Sequence, residues 1–114
     1  MNLIITGVDT DKGILFCNNN IDFYLKILKK FRNNYMSFKN DFNKAALIND
    51  KDEQYRISHS LKGVLASIGA SEAMNMAQKL ENLCQNNASL TEIDCCLNEL
   101  AVNLDRIMEQ ISEI

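Results

Sequence analysis

The sequence contains no proline and no tryptophan, four glycines, and a single histidine in 114 residues. With so few residues that force the backbone to turn, sandwiches, barrels and linker-rich chains are poor fits, because those architectures draw on Gly and Pro at bulges, edges and turns. One histidine excludes any metal site built on a His pair or triad, and it gives imidazole chemistry a single address, His59. Long apolar runs are also missing. No window approaches the roughly 20 apolar residues a membrane span requires. The start, Met-Asn-Leu-Ile-Ile-Thr-Gly, is too short for a signal h-region and lacks a basic n-region. No membrane insertion and a cytoplasmic location are therefore expected.

Positive charge is scarce where a nucleic-acid binder would need it. Residues 1–57 hold nine Lys/Arg against seven Asp/Glu, whereas residues 58–114 hold three against eight. Neither half carries the dense basic stripe that neutralising a phosphate backbone demands, so nucleic acid is not an expected partner. The cysteines, Cys17, Cys84, Cys95 and Cys96, form no C-x-x-C pair. They read as small buried or half-buried thiols in a reducing compartment, with no metal expected on the chain.

What the chain does have is helical spacing. Beyond residues 3–8, two-residue alternation disappears, and residues 1–8 read as an extended segment. Asp9 or Thr10 can cap a short first helix ending near Asn18–Asn20. Asn20 then caps a long segment with Ile21, Leu25, Leu28, Phe31, Tyr35, Phe38, Phe42 and Ala45 on one stripe, bent near Asn33-Asn34. Asn49 to Glu53 is a stop followed by a start, and Ile57, Leu61, Val64, Leu65 and Ile68 line the next helix, with Gly69 placed to end it. Ser71 can cap a third long helix bearing Ala73, Met76, Ala77, Leu80 and Leu83/Cys84. Ser89-Leu90-Thr91-Glu92 is a capping box for the last, with Leu90, Ile93, Leu97, Leu100, Leu104, Ile107, Ile111 and Ile114 on its stripe. Short connections fold each helix back beside the previous one. The expected fold is one all-α domain over 1–114, an antiparallel four-helix bundle with a short additional N-terminal helix. No second full apolar stripe is left over, so a monomer is expected.

Chemistry concentrates between Arg56 and Ala70. On a helical wheel with His59 at zero, Ile57, Leu61, Val64 and Ile68 fall within about 40° of the opposite pole. His59 is then at the centre of the solvent face, among Tyr55, Arg56, Lys62, Gly63, Ala66 and Ala70, with Ser67 at the margin. Lys62, one turn on, can reach whatever the imidazole holds. Gly63 costs a mid-helix position roughly 1 kcal/mol relative to Ala, which suggests that something must approach closely there. Ala66 and Ala70 keep the surface low.

An exposed imidazole, a cation and a cleared surface suit phosphoryl transfer to nitrogen. Imidazole has an ordinary pKa of about 6.5 and so offers a lone pair near neutral pH. The loose transition state leaves positioning and charge stabilisation as the main tasks, the second of which falls to Lys62. No Gly-rich nucleotide loop is present, so ATP-dependent self-phosphorylation is not expected. A partner would supply the metal and the second phosphoacceptor.

The run His59-Ser60-Leu61-Lys62-Gly63, followed by Ser67-Ile68-Gly69-Ala70 and Leu80-Glu81, resembles the histidine-containing phosphotransfer (HPt) domain of bacterial phosphorelays. Gly7-Val8-Asp9, Gly13-Ile14 and Tyr24 to Phe31 are similar to that family's approach to its first long helix. The resemblance implies a phosphorelay intermediate that takes a phosphoryl group on His59 from a receiver-domain aspartate and passes it to another receiver. It assigns Lys62 to phosphoryl stabilisation and Gly63 to docking clearance. A polar residue on the next helix should face the histidine: Gln78 is ranked ahead of Glu81, because an anion there would repel phosphate. Arg56, Ala66 and Ser67 are secondary candidates, and Ile14, Leu15 and Phe23 are candidate docking residues that read equally well as core. The implied partners are receiver domains of response regulators or hybrid sensor kinases, with magnesium on the receiver and no cofactor on this chain. The alternatives are the phosphoaccepting domain of a chemotaxis-type histidine kinase, or a module that binds receivers without phosphotransfer.

Overall fold

The computed structural model describes residues 3–114, so the part of the expected 1–8 segment at Met1 and Asn2 lies outside the described residues. Six helices follow in order: α1 Thr10–Phe16, α2 Ile21–Tyr35, α3 Phe38–Leu47, α4 Lys51–Ile68, α5 Ser71–Gln85 and α6 Leu90–Ser112. Four of the five starts expected from capping residues carry their side-chain bond. Asp9 accepts from Lys12 N, Asn20 from Phe23 N, Asp50 from Glu53 N, and Ser89 from Glu92 N. The exception is α5. Its N-cap is Ala70, without a side-chain bond, and Ser71 is the first helical residue.

The long segment after Asn20 is two helices. The break falls at Met36-Ser37, a few residues beyond the expected bend, and Phe38, Phe42 and Ala45 resume the buried stripe on α3. Leu28 and Phe31 hold their expected places on the α2 stripe, but its start departs from the expected register. Tyr24, Leu28 and Phe31 are buried, while Ile21 is exposed and Leu25 only half-buried. Before α1, residues 3–8 turn where an extended run was expected. Val8 N–H bonds the Ile5 carbonyl at 3.0 Å, Gly7 takes φ +88, and Ile5 is buried.

The core is continuous from α2 to α6, built mostly on aliphatic side chains such as Leu28, Leu61, Leu65, Leu80, Leu97, Leu100, Leu104 and Ile107, with Tyr24, Phe31, Phe38 and Phe42 at the α2–α3 side. Within α6 the expected stripe is buried from Ile93 to Ile111, but Leu90 and Ile114 at its ends are exposed. Burial of this area is the main stabilising contribution.

Where α4 ends, α1 is clamped onto it. Gly69 turns the chain with φ +88, and its carbonyl accepts from Asp9 N at 2.8 Å. Tyr24 Oη donates to the Ile68 carbonyl at 2.7 Å, a helix-end acceptor that would otherwise lack a partner. Gly13 lies against the Tyr24 ring, and a Cβ there would come within 2.6 Å of the Ile68 carbonyl. Burial raises the Tyr24 hydroxyl pKa, aided by nearby Cys17 and Asp9, so it stays a donor.

Candidate functional site

The buried residues of α4 are Gln54, Ser58, Leu61, Leu65 and Ile68, with Ile57 and Val64 only half-buried. The core face is thus rotated toward Ser58, whose hydroxyl bonds the Gln54 carbonyl at 2.8 Å. The small Ser58 can sit fully inside, where its hydroxyl finds a main-chain acceptor. This rotation moves the Tyr55, His59 and Lys62 edge from the middle of the solvent face toward α5.

His59 is consequently exposed but not free. Its side chain keeps 58% of its surface in solvent, while Nδ1 lies 2.8 Å from Glu81 Oε1 on α5. Lys62 Nζ lies 2.8 Å from Glu81 Oε2. One carboxylate on a residue only 5% exposed therefore serves both groups. Burial alone would push the Glu81 carboxyl up, but hydrogen bonding with Lys62, His59 and Tyr55 outweighs it and leaves the pKa below the usual range. An ionised carboxylate only accepts, so Nδ1 carries the proton and, in the neutral ring, Nε2 keeps the lone pair. Tyr55, one turn before, stacks on the imidazole with ring centroids 5.8 Å apart and planes 14° from parallel.

The residue opposite the histidine is Glu81, not Gln78, which is exposed and makes no hydrogen bond to His59 among the described residues. Repulsion of an anion, the reason for expecting Gln78 here, is avoided by the way Glu81 is engaged. Its charge is held on the Nδ1 side and offset by Lys62, so the lone-pair side of the ring does not face an uncompensated carboxylate.

Gly63 is open: a Cβ built there meets nothing within 4 Å. No contact inside the protein calls for glycine at this mid-helix position. Ala66 is exposed nearby, whereas Ala70, expected on the same face, is fully buried because the chain has already turned at Gly69. Ser67 bonds its own helix at the Val64 carbonyl, and Arg56 is paired with Glu53. Neither is brought to the imidazole. At the α1–α2 corner Leu15, Phe16 and Phe23 are exposed, while Ile14 is half-buried against the core.

Among the described residues no group of three His, Cys, Asp or Glu could hold a metal ion, and no helix is long and apolar enough to cross a membrane. The sequence reading missed Tyr24 and the buried Gln54 and Asn103. Tyr24 had a signal, since 24, 28, 31 and 35 run at helical spacing as well as 21, 25 and 28 do.

The arrangement defines a class: a helical bundle with one exposed, oriented imidazole on its side. The family model of the Hpt domain matches residues 26–113, most of the chain, and the protein belongs to that family. Hpt domains perform phosphotransfer in phosphorelays and interact with receiver domains. Comparison with curated proteins and with solved structures gives no match.

Proposed function

We propose that the protein is a monomeric cytoplasmic phosphorelay intermediate, with His59 receiving a phosphoryl group from a receiver aspartyl phosphate and delivering it to a second receiver. The observation that carries this reading is the tethering of Nδ1 to Glu81, which leaves Nε2 as the nucleophile beside the unfilled space at Gly63. In the forward step the Nε2 lone pair forms the N–P bond as the aspartyl O–P bond breaks, and the aspartate leaves as a carboxylate. The ring becomes cationic, and the Nδ1–H to Glu81 contact strengthens as that charge develops. Lys62 turns from Glu81 toward the phosphoryl oxygens. Return transfer reverses these movements. Magnesium belongs to the receiver, where it neutralises the aspartyl phosphate.

A phosphorylated receiver, incubated with the protein and magnesium, should pass to it a label that is acid-labile and base-stable. His59→Gln should take up none while retaining its helical circular dichroism. Label on that variant equal to the wild type would remove His59 from the role. ATP alone should label nothing, and self-labelling would contradict the proposed source of the phosphoryl group.

A further inference from the structure

The aromatic neighbour of His59 neither takes the phosphoryl group nor offsets its charge. Tyr55 lies one helical turn before His59 on α4, and its ring stacks on the imidazole with centroids 5.8 Å apart and planes 14° from parallel. Helical side chains lean back over the preceding turn, so a residue at that spacing forms the floor on which the imidazole rests. Arg56, on the same turn, is drawn away by its pairing with Glu53. On the other side Gly63 contributes no side chain, and Lys62 reaches to Glu81.

Glu81 by itself leaves the ring underdetermined. Its contact with Nδ1 at 2.8 Å fixes one atom, and the ring can still tilt about that point. The His59 side chain is also 58% exposed, where water competes for the same hydrogen bond. A flat partner supplies the missing constraint, because parallel stacking fixes a plane. Tyr55 suits the task because it is held more firmly than the ring it carries. It is half-buried and borders the α4–α5 groove together with Cys84 and Gln85 of α5. Its large contact area turns on few rotatable bonds, so ordering it costs little entropy.

We propose that Tyr55 is a positioning residue for the phosphoacceptor: its ring sets the plane of His59 and so the direction in which Nε2 meets the incoming phosphorus. The effect on transfer rests on the phosphotransfer reading of His59; the setting of the ring does not. With Nδ1 on Glu81 and one face on Tyr55, the imidazole keeps its other face and its Nε2 edge for a receiver. Displacement at phosphorus requires the lone pair, the phosphorus and the leaving oxygen to lie close to one line, and small misplacements cost rate steeply. The tyrosine hydroxyl is not needed to set a plane. Phenylalanine can therefore take over the role, and a non-aromatic side chain cannot.

The test compares the full chain with Tyr55→Phe, Tyr55→Leu and Tyr55→Gln, each checked for wild-type helical circular dichroism. Three-bond NMR couplings across the His59 Cα–Cβ bond should report a single rotamer in the wild type and Tyr55→Phe, and averaged values in the leucine and glutamine variants. The His59 ring protons should carry an upfield ring-current shift in the first pair and lose it in the second. Transfer from a phosphorylated receiver should stay within about twofold of wild type in Tyr55→Phe and slow about tenfold or more in the other two. Potassium phosphoramidate needs no docked geometry: its P–N bond breaks with loss of ammonia as Nε2 takes the phosphoryl group. It should label all four proteins at similar rates. A single rotamer in both non-aromatic variants, or full receiver transfer in both, would overturn the role of Tyr55. So would phosphoramidate labelling slowed as much as receiver transfer, because the nucleophile itself would then have changed rather than its direction. A wild type that no receiver labels would instead remove the phosphotransfer reading, and the couplings would still decide whether Tyr55 sets the ring.

Discussion

Glu81 Oε1 lies 2.8 Å from His59 Nδ1, joining the middle of α5 to the exposed face of α4. A structural tether and a chemical one are the same bond here, because it fixes both the ring's position and its tautomer. Glu81→Gln can still accept from Nδ1 but no longer holds the charge of Lys62 or of a cationic ring. Receiver-to-histidine transfer should fall several-fold in Glu81→Gln and further in Glu81→Leu, and ¹⁵N chemical shifts should show Nε2 gaining proton occupancy only in the leucine variant. An unchanged rate in both would reduce Glu81 to packing.

Lys62 should matter for rate and little for folding. Its ammonium is one-quarter exposed and engages Glu81, so Lys62→Ala loses an ion pair of modest value, roughly 1 kcal/mol or less. Transfer should slow by at least tenfold while the thermal midpoint moves by only a few degrees. A variant equally slow in stability and in transfer would mean that the lysine acts only by holding Glu81 in place.

Stability and docking should separate at Gly63. Because a Cβ there meets nothing, Gly63→Ala should gain roughly 1 kcal/mol of helix stability, raising the midpoint by about 4 °C or more. Gly63→Leu should also fold, yet transfer from the receiver should drop sharply as the side chain fills the approach. Full transfer in the leucine variant would show that nothing comes close at this point.

Acid should erode the contribution of Glu81 in a defined window. Its carboxyl lies below the ordinary value of 4.5 in the folded protein, so the unfolded chain binds that proton more tightly. The stabilisation is therefore complete above pH 4.5 and is lost as pH falls through the lower folded-state value. Urea denaturation should show wild type more stable than Glu81→Gln at pH 7 and pH 5, with the gap closing between pH 4 and pH 2. A gap that stays constant would contradict an ionised Glu81 in the fold.

The clamp at the top of α4 should be costly to disturb. Gly13→Ala drives a methyl into the Tyr24 ring and the Ile68 carbonyl, and should cost about 1–3 kcal/mol in chemical denaturation. Tyr24→Phe removes the donor to Ile68 and should cost about 1–2 kcal/mol. A neutral result in both would mean that α1 is not held by this corner.

Most of this molecule could be read from residue spacing because helices announce themselves locally. Asp9, Asn20, Asp50 and Ser89 act within three residues of where they stand, and each makes its expected bond. What spacing could not resolve was rotation. Ile57 and Val64 were as apolar as Leu61, yet Ser58 took the buried place because α5 packs on that side. The same rotation decided Glu81 over Gln78, three residues apart on one helix. Residue type alone marks a carboxylate beside an expected phosphoryl acceptor as repulsive, whereas the fold places it on the Nδ1 side of the ring and beside an ammonium.

Three of the five connections between helices are turned on asparagine. Asn18, Asn19, Asn49 and Asn87 take left-handed φ values of 53, 62, 54 and 54, in a chain without proline. Their consequence is kinetic. With no prolyl bond to isomerise, recovery after unfolding should lack the prolyl step of tens of seconds. Helices packed mainly on their chain neighbours, α4 on α5 and α5 on α6, should reassemble in microseconds to milliseconds. The bundle's own recovery from unfolding should then be paced by the docking of neighbouring helices.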